Sequence, residues 1–231
     1  CAIVPPAWAN NVTTYSYQSI NSSADIFAAG SGTVPSFAGS GGSLPSSFAL
    51  PAGSNAVLIF SSVTGSITTD GYYSTSDPDG VGGENFDTAI NAYGGISGIT
   101  GPHNGFLVGV FTDGAALVAP PPASLYFTSI GTNFTTLSTL LNQQFFIGDG
   151  LTGDGSGTTQ QFNAPAGATV LYLGLADADA YAGDPGYYGD NYGNFTASFS
   201  ITAVPEPASL ALLTLGGLGL LMRRKRAIRR A

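Results

Sequence analysis

The sequence predicts an all-β domain, a β-sandwich, with a short membrane-spanning helix behind it. Three observations carry that prediction. Charged residues make up only 9% of the chain while glycine and proline number 33 and 14, a composition that disfavours solvated helices. Yet 43% of the residues are hydrophobic and 11% aromatic, which is far too apolar for a disordered chain. Short β-branched and aromatic runs also recur between clusters of Gly, Pro, Asp and Asn, the rhythm of strands and turns.

In chain order, residues 1–9 come first, and they close on Ala7-Trp8-Ala9. This is the small-x-small pattern of a signal-peptidase site, so the segment reads as a signal-peptide remnant. A lipidated Cys1 is the alternative. Cys1 is the single cysteine, so no internal disulfide staples the fold.

Residues 10–203 are long enough for one substantial core and read as one domain. Candidate strands are 56–63, 106–111, 143–147, 169–175 and 194–201. The last alternates cleanly: Phe195, Ala197, Phe199 and Ile201 point one way, and Thr196, Ser198, Ser200 and Thr202 the other. That is a strand half buried in a sandwich or jelly roll. Phe48-Ala49-Leu50-Pro51-Ala52-Gly53 and Phe162-Asn163-Ala164-Pro165-Ala166-Gly167 share a Pro-Ala-Gly ending. Each reads as a tight turn feeding a core strand.

Residues 204–231 form a third region. All six lysines and arginines lie in the last nine residues, including Arg223, Arg224 and Arg226, so the 222 residues before them hold fourteen carboxylates and no permanent cation. Residues 208–222 contain neither charge nor proline. At about 1.5 Å per residue they span only roughly 22 Å of a hydrocarbon core of about 30 Å, a short membrane helix. Arginine behind such a helix stays on the cytoplasmic side, so the acidic domain faces outward. Pro205-Glu206-Pro207 stands just upstream. Pro-Glu-Pro, a short apolar helix and an arginine cluster, in that order, resemble the PEP-CTERM sorting signal of Gram-negative bacteria. The resemblance implies export, transient retention in the inner membrane, and recognition near Pro205, Glu206 and Pro207 by an exosortase that removes the tail.

Acidic residues gather in three glycine-rich stretches: 70–87, 149–154 and, most densely, 177–194. Carboxylate, amide and backbone oxygens are hard donors and glycines let a loop wrap an ion, so calcium is the natural partner. A solvated polar loop is the alternative, since the spacing is not that of an EF-hand. The order Asp177, a variable loop, Tyr187-Tyr188-Gly189-Asp190-Asn191-Tyr192-Gly193-Asn194-Phe195 and a closing strand resembles the C-terminal half of LecA-like galactophilic lectins. Those are calcium-dependent β-sandwiches of the galactose-binding-like kind. The resemblance implies calcium held by the side chains of Asp177, Asp190 and Asn191 and the carbonyl of Tyr187. Gly71-Tyr72-Tyr73 lies where another carbonyl ligand would come from, and Tyr72, Tyr73, His103, Asp184 and Tyr188 are candidate contacts to a galactose-type glycan or polysaccharide. This chain departs from the family in Tyr192-Gly193, where the family has a glycine-serine pair, in the longer 177–187 loop, and in residues 115–157, which have no counterpart.

Catalysis is disfavoured. His103 is the only imidazole, and no lysine or arginine precedes the tail to stabilise an oxyanion. Asp177 with Asp179 or Asp184 is a formal glycosidase pair, but nothing in the sequence separates such a pair from calcium ligands. The acidic exported part repels phosphate, which excludes nucleic acid. The expectation is a non-catalytic, exosortase-processed protein of the cell surface or extracellular matrix with a calcium-dependent, lectin-like domain. The alternative is a structural matrix or sheath protein whose loops bind calcium only for stability.

Overall fold

The computed structural model describes residues 11–204, apart from 37–38, 40, 52–54, 72–74 and 83–86. The described chain is mostly β-strand in several sheets with few, short helical turns, so the fold is all-β and sandwich-like. One sheet has five strands in the order Val12–Asn21, Tyr192–Val204, Asn55–Thr68, Gln161–Asn163 and Thr136–Ser138. Its neighbours are antiparallel except the last two, which run parallel. The second sheet, antiparallel throughout, is ordered Gln144–Phe146, Val108–Thr112, Val170–Gly174 and Ser46–Ala49.

The alternation expected for 194–201 is realised: Phe195, Ala197, Phe199 and Ile201 are fully buried and the intervening Thr and Ser residues half exposed. Phe199 is the pivot between the sheets. Its ring lies 5.0 Å from Tyr15, 5.2 Å from Phe60 and, across the sandwich, 4.9 Å from Phe48, which meets it edge-on. Phe145 and Phe162 make the matching inter-sheet contact at 5.4 Å. Offset and edge-on ring pairs of this kind add to the area each ring removes from water.

Ser198 sits between two β-bulges. Ser62 pairs with Ser198 and Phe60 with Phe199, leaving Ser61 as an extra residue whose hydroxyl donates to the Ser198 carbonyl at 3.0 Å. On the other flank Tyr17, at φ 53°, donates its N–H to Ser198 Oγ at 3.0 Å. A bulge shifts the inward phase by one residue, so Ala56, Leu58 and Phe60 are followed inside by Val63 and Ile67.

All five expected strands are present, several with moved ends. Within these two sheets four further strands, Val12–Asn21, Ser46–Ala49, Thr136–Ser138 and Gln161–Asn163, were not expected. Apart from Gln161–Asn163 they lie at sheet edges. The Pro165 turn is as expected: Ala168 N–H donates to the Pro165 carbonyl at 3.1 Å and Gly167 takes φ 85°. Its counterpart at 52–54, the signal-peptide remnant, and the membrane helix and sorting residues beyond Val204 lie outside the described residues. Among the described residues no helix is long and apolar enough to cross a membrane.

Candidate functional site

Where strand Val170–Gly174 ends, its chain passes against residues 24–26: Leu175 N–H donates to the Ala24 carbonyl at 2.8 Å and Ile26 N–H to the Leu175 carbonyl at 3.1 Å. Gly174 permits this approach, because a Cβ there would lie 2.5 Å from the Ala24 carbonyl oxygen. The chain then loops out and returns. Gly186 N–H donates to the Asp177 carbonyl at 2.9 Å, Tyr187 turns in the left-handed region at φ 68°, and a single 3-10 turn, Tyr188–Asp190, leads to Asn191 and the last strand. Asn191 Nδ2 donates to the Ser22 carbonyl at 2.9 Å. Asp177 thereby feels the Asn191 amide and the charges of Asp190 and of Asp25, which was not expected, although the carboxylate oxygens of Asp25, Asp177 and Asp190 do not all lie within 4.8 Å of one another.

The cluster is rich in oxygens that lack hydrogens to bind. Asp177 is 1% exposed; its Oδ1 accepts Ala178 N–H at 2.8 Å, while Oδ2 is buried without a hydrogen-bond partner. Asp25, fully buried, accepts Phe27 N–H at 2.8 Å through Oδ1 and leaves Oδ2 in the same condition. Asp190 Oδ1 and Asn191 Oδ1 are likewise buried and unpartnered. Burial, opposed by the nearby Asn191 amide and reinforced by Asp190 and Asp25, pushes the Asp177 carboxyl up to about 7. Burial pushes Asp25 up to about 6. Asp190 is raised by burial and by Asp70, and Tyr181, also raised by burial, feels Asp70, Asp177 and Asp190 together. A buried anion needs a counter-charge or a proton. No lysine or arginine stands before residue 223 to supply one.

Of the candidate glycan contacts, Tyr188 is placed differently from expectation. Tyr188 is 2% exposed: its hydroxyl donates to the Leu175 carbonyl at 3.1 Å and accepts Asp177 N–H at 3.3 Å. Its ring is part of the core and offers no face for stacking. Burial raises its phenol well above the usual range, and Asp25 and Asp177 add to the shift. Asp184 is exposed and accepts Asn91 Nδ2 at 2.9 Å. Tyr72 and Tyr73 lie outside the described residues.

His103 belongs to a second acidic cluster, its Nδ1 lying 2.8 Å from the Asp79 carbonyl oxygen. Here Asp77, Asp79 and Asp154 each place a carboxylate oxygen within 4.8 Å of the others. Strand Val81–Gly82 pairs with His103–Asn104, and Leu107 joins two turns by donating its N–H to the Pro78 carbonyl and accepting Ile147 N–H, both at 3.0 Å. The acidic stretches 70–87 and 149–154 are thereby brought together. Asp79 is 7% exposed and pushed up to about 7 by burial and by the charges of Asp149, Asp77 and Asp154. Asp77 is raised by burial and by Asp154. A cleft of about 290 Å³ opens beside Asp79, His103 and Asp154, with Asn133 and Thr152 also in its lining.

Comparison with known proteins speaks to the tail. Residues 203–226 match the PEP-CTERM protein-sorting motif. The motif implies export, transient membrane anchoring and processing by an exosortase. No curated protein and no solved structure matches the chain. The lectin-like reading of the domain therefore stands on its residues alone.

Proposed function

We propose that this exported chain ends at the cell surface or in the extracellular matrix, where its β-sandwich acts as a calcium-dependent carbohydrate-binding domain rather than an enzyme. Asp177, Asp190 and Asn191 are the side-chain calcium ligands, with the Tyr187 carbonyl beside them. The reading is supported above all by the four buried, unpartnered oxygens of Asp25, Asp177, Asp190 and Asn191 in a region without lysine or arginine. A hard divalent cation held by Asp177, Asp190 and Asn191 would satisfy their free oxygens and lessen the repulsion they share with Asp25. The largely antiparallel two-sheet architecture is compatible with a jelly-roll, galactose-binding-like sandwich. In such a site the ion holds sugar hydroxyls, so sugar affinity depends on calcium.

A second reading, a matrix or sheath protein in which calcium serves only stability, is favoured by one observation: the buried ring of Tyr188 removes a candidate sugar-stacking surface. Glycan-array binding of the full chain with calcium, with chelator and after Asp190→Ala separates the two. Sugar retention that needs both calcium and Asp190 supports the lectin. Calcium-dependent thermal stability without retention on galactose-type or matrix glycans supports the structural role, and absence of any calcium effect overturns both.

A further inference from the structure

A second acidic centre lies apart from the one assigned above. Asp77, in the turn before Val81–Gly82, spends Oδ1 on the N–H groups of Asp79 and Gly80, at 3.0 and 3.1 Å. Asp79 accepts Asp149 N–H at 3.2 Å through Oδ1. Its Oδ2 is buried and has no hydrogen-bond partner, on a side chain more than nine-tenths buried. Asp154, at the tip of the hairpin formed by Leu151–Gly153 and Ser156–Thr159, brings the third carboxylate to within 4.8 Å.

We propose that Asp77, Asp79 and Asp154 form a second divalent-cation site, suited to calcium, whose remaining coordination positions are filled from the adjoining cleft. The observation that points to an ion is the Asp79 Oδ2 atom: an acceptor held in the interior with two more carboxylates beside it and no donor. An all-oxygen, three-carboxylate set is the donor chemistry of calcium, which takes six to eight oxygens at about 2.3–2.6 Å. The cleft supplies room for the waters that complete such a shell.

The surroundings hold this arrangement in place. Asp149 does not compete for the ion, because its Oδ1 accepts Leu151 N–H at 2.7 Å and its Oδ2 accepts Gly155 N–H at 2.9 Å. It is a positioning residue that fixes the hairpin bearing Asp154. Gly148, at φ 60°, leaves the space into which Asp79 reaches; a Cβ there would overlap Asp79 Oδ1 and the Phe146 ring. His103, tied through Nδ1 to the Asp79 carbonyl, lines the cleft and takes no part in the ion's oxygen shell.

The test is calcium stoichiometry, measured by equilibrium dialysis of radioactive calcium on the full chain in mild detergent, for the unmodified chain, Asp154→Asn, Asp79→Asn and Asp190→Asn. Asp154 is exposed, so its variant keeps the fold even if Asp79→Asn does not. The expected result is two ions per chain, falling to one in Asp154→Asn, or an affinity at that site lowered by at least the roughly tenfold that loss of even an outer-shell partner brings. Unchanged stoichiometry and affinity in Asp154→Asn overturns the proposal, as does a single ion that only Asp190→Asn removes. Conversely, an ion lost in Asp154→Asn but untouched by Asp190→Asn sustains this site while the lectin-type site fails. If Asp79 is instead simply protonated, Asp79→Asn folds with unchanged or raised thermal stability and the chain binds no calcium near it, which also overturns the proposal.

Discussion

Asp177 and Asp79 are both buried carboxyls pushed up to about 7, yet their surroundings differ. Asp177 lies at the end of a central strand, enclosed by Asp25, Asn191 and the ring of Tyr188, so its neighbours include an amide and a phenol as well as acids. Asp79 lies in a tight turn at the sheet margin, with Asp77 and Asp154 beside it and a cleft in front. The first environment raises its acid chiefly by dehydration, and the second adds repulsion among several carboxylates to dehydration. A domain with no lysine or arginine before residue 223 has no internal remedy for either beyond one histidine, so protons or cations from outside must balance both.

The largest expected effect separates the clusters through thermal unfolding. Binding to the folded state alone at a hundred times Kd adds about 2.7 kcal/mol. For a domain of this size that corresponds to a rise in Tm of roughly 5–10 °C per saturated site. Asp177→Asn should remove one such increment and leave the other, and Asp154→Asn the reverse. If one substitution abolishes the whole shift, the clusters are not independent, and the contrast drawn between them fails.

An intermediate effect is expected from pH in metal-free buffer. Asp25, Asp79 and Asp177 have folded values of about 6, 7 and 7 against an ordinary 3.8, so the folded chain binds protons more tightly than the unfolded one. Their contribution to stability is complete below about pH 4 and is lost as pH rises through 6 to 7. Tm without calcium should therefore fall steadily from pH 5 to pH 8. Saturating calcium, which binds the anions, should flatten or invert that slope. A calcium-free Tm that rises over this interval would show that the acids are ionised in the fold without an added cation.

Much of this was legible in the sequence, and the rest was hidden for physical reasons. Strand Tyr192–Val204 announced itself because one face is buried, and the period-two pattern survives intact in its own residues. Val12–Asn21 did not, because it is an edge strand with one fully buried side chain, Ile20, and a bulge at Tyr17 that breaks the alternation. The three acidic stretches were visible as composition. Their pairing was not: that 70–87 meets 149–154 is decided by the Leu107 backbone bonds to Pro78 and Ile147, which no local pattern encodes. Asp25 was missed because it is an isolated acid, recruited by a single parallel bridge, outside any strand, to Leu175. Tyr188 was misread since a tyrosine in a glycine-rich loop looks exposed, whereas its ring fills the core beneath that loop.

Tyr188 also sets the smallest and most discriminating test. Its hydroxyl joins the Leu175 carbonyl to the Asp177 N–H, so Tyr188→Phe removes one donor and leaves one buried N–H without an acceptor. The expected loss is about 1–2 kcal/mol, at the upper end for a single hydrogen bond because a buried group is stranded. At roughly 2–4 °C per kcal/mol this is a drop in Tm of a few degrees. If the ring is purely a support beneath the loop, the drop appears with and without calcium, and affinity at Asp154 is unchanged. Glycan retention, where present, should also persist, since the core ring has no face to give a sugar. Retention lost in Tyr188→Phe at unchanged Tm would place the hydroxyl on the ligand and return Tyr188 to the binding surface, erasing the contrast between an enclosed cluster and an open one.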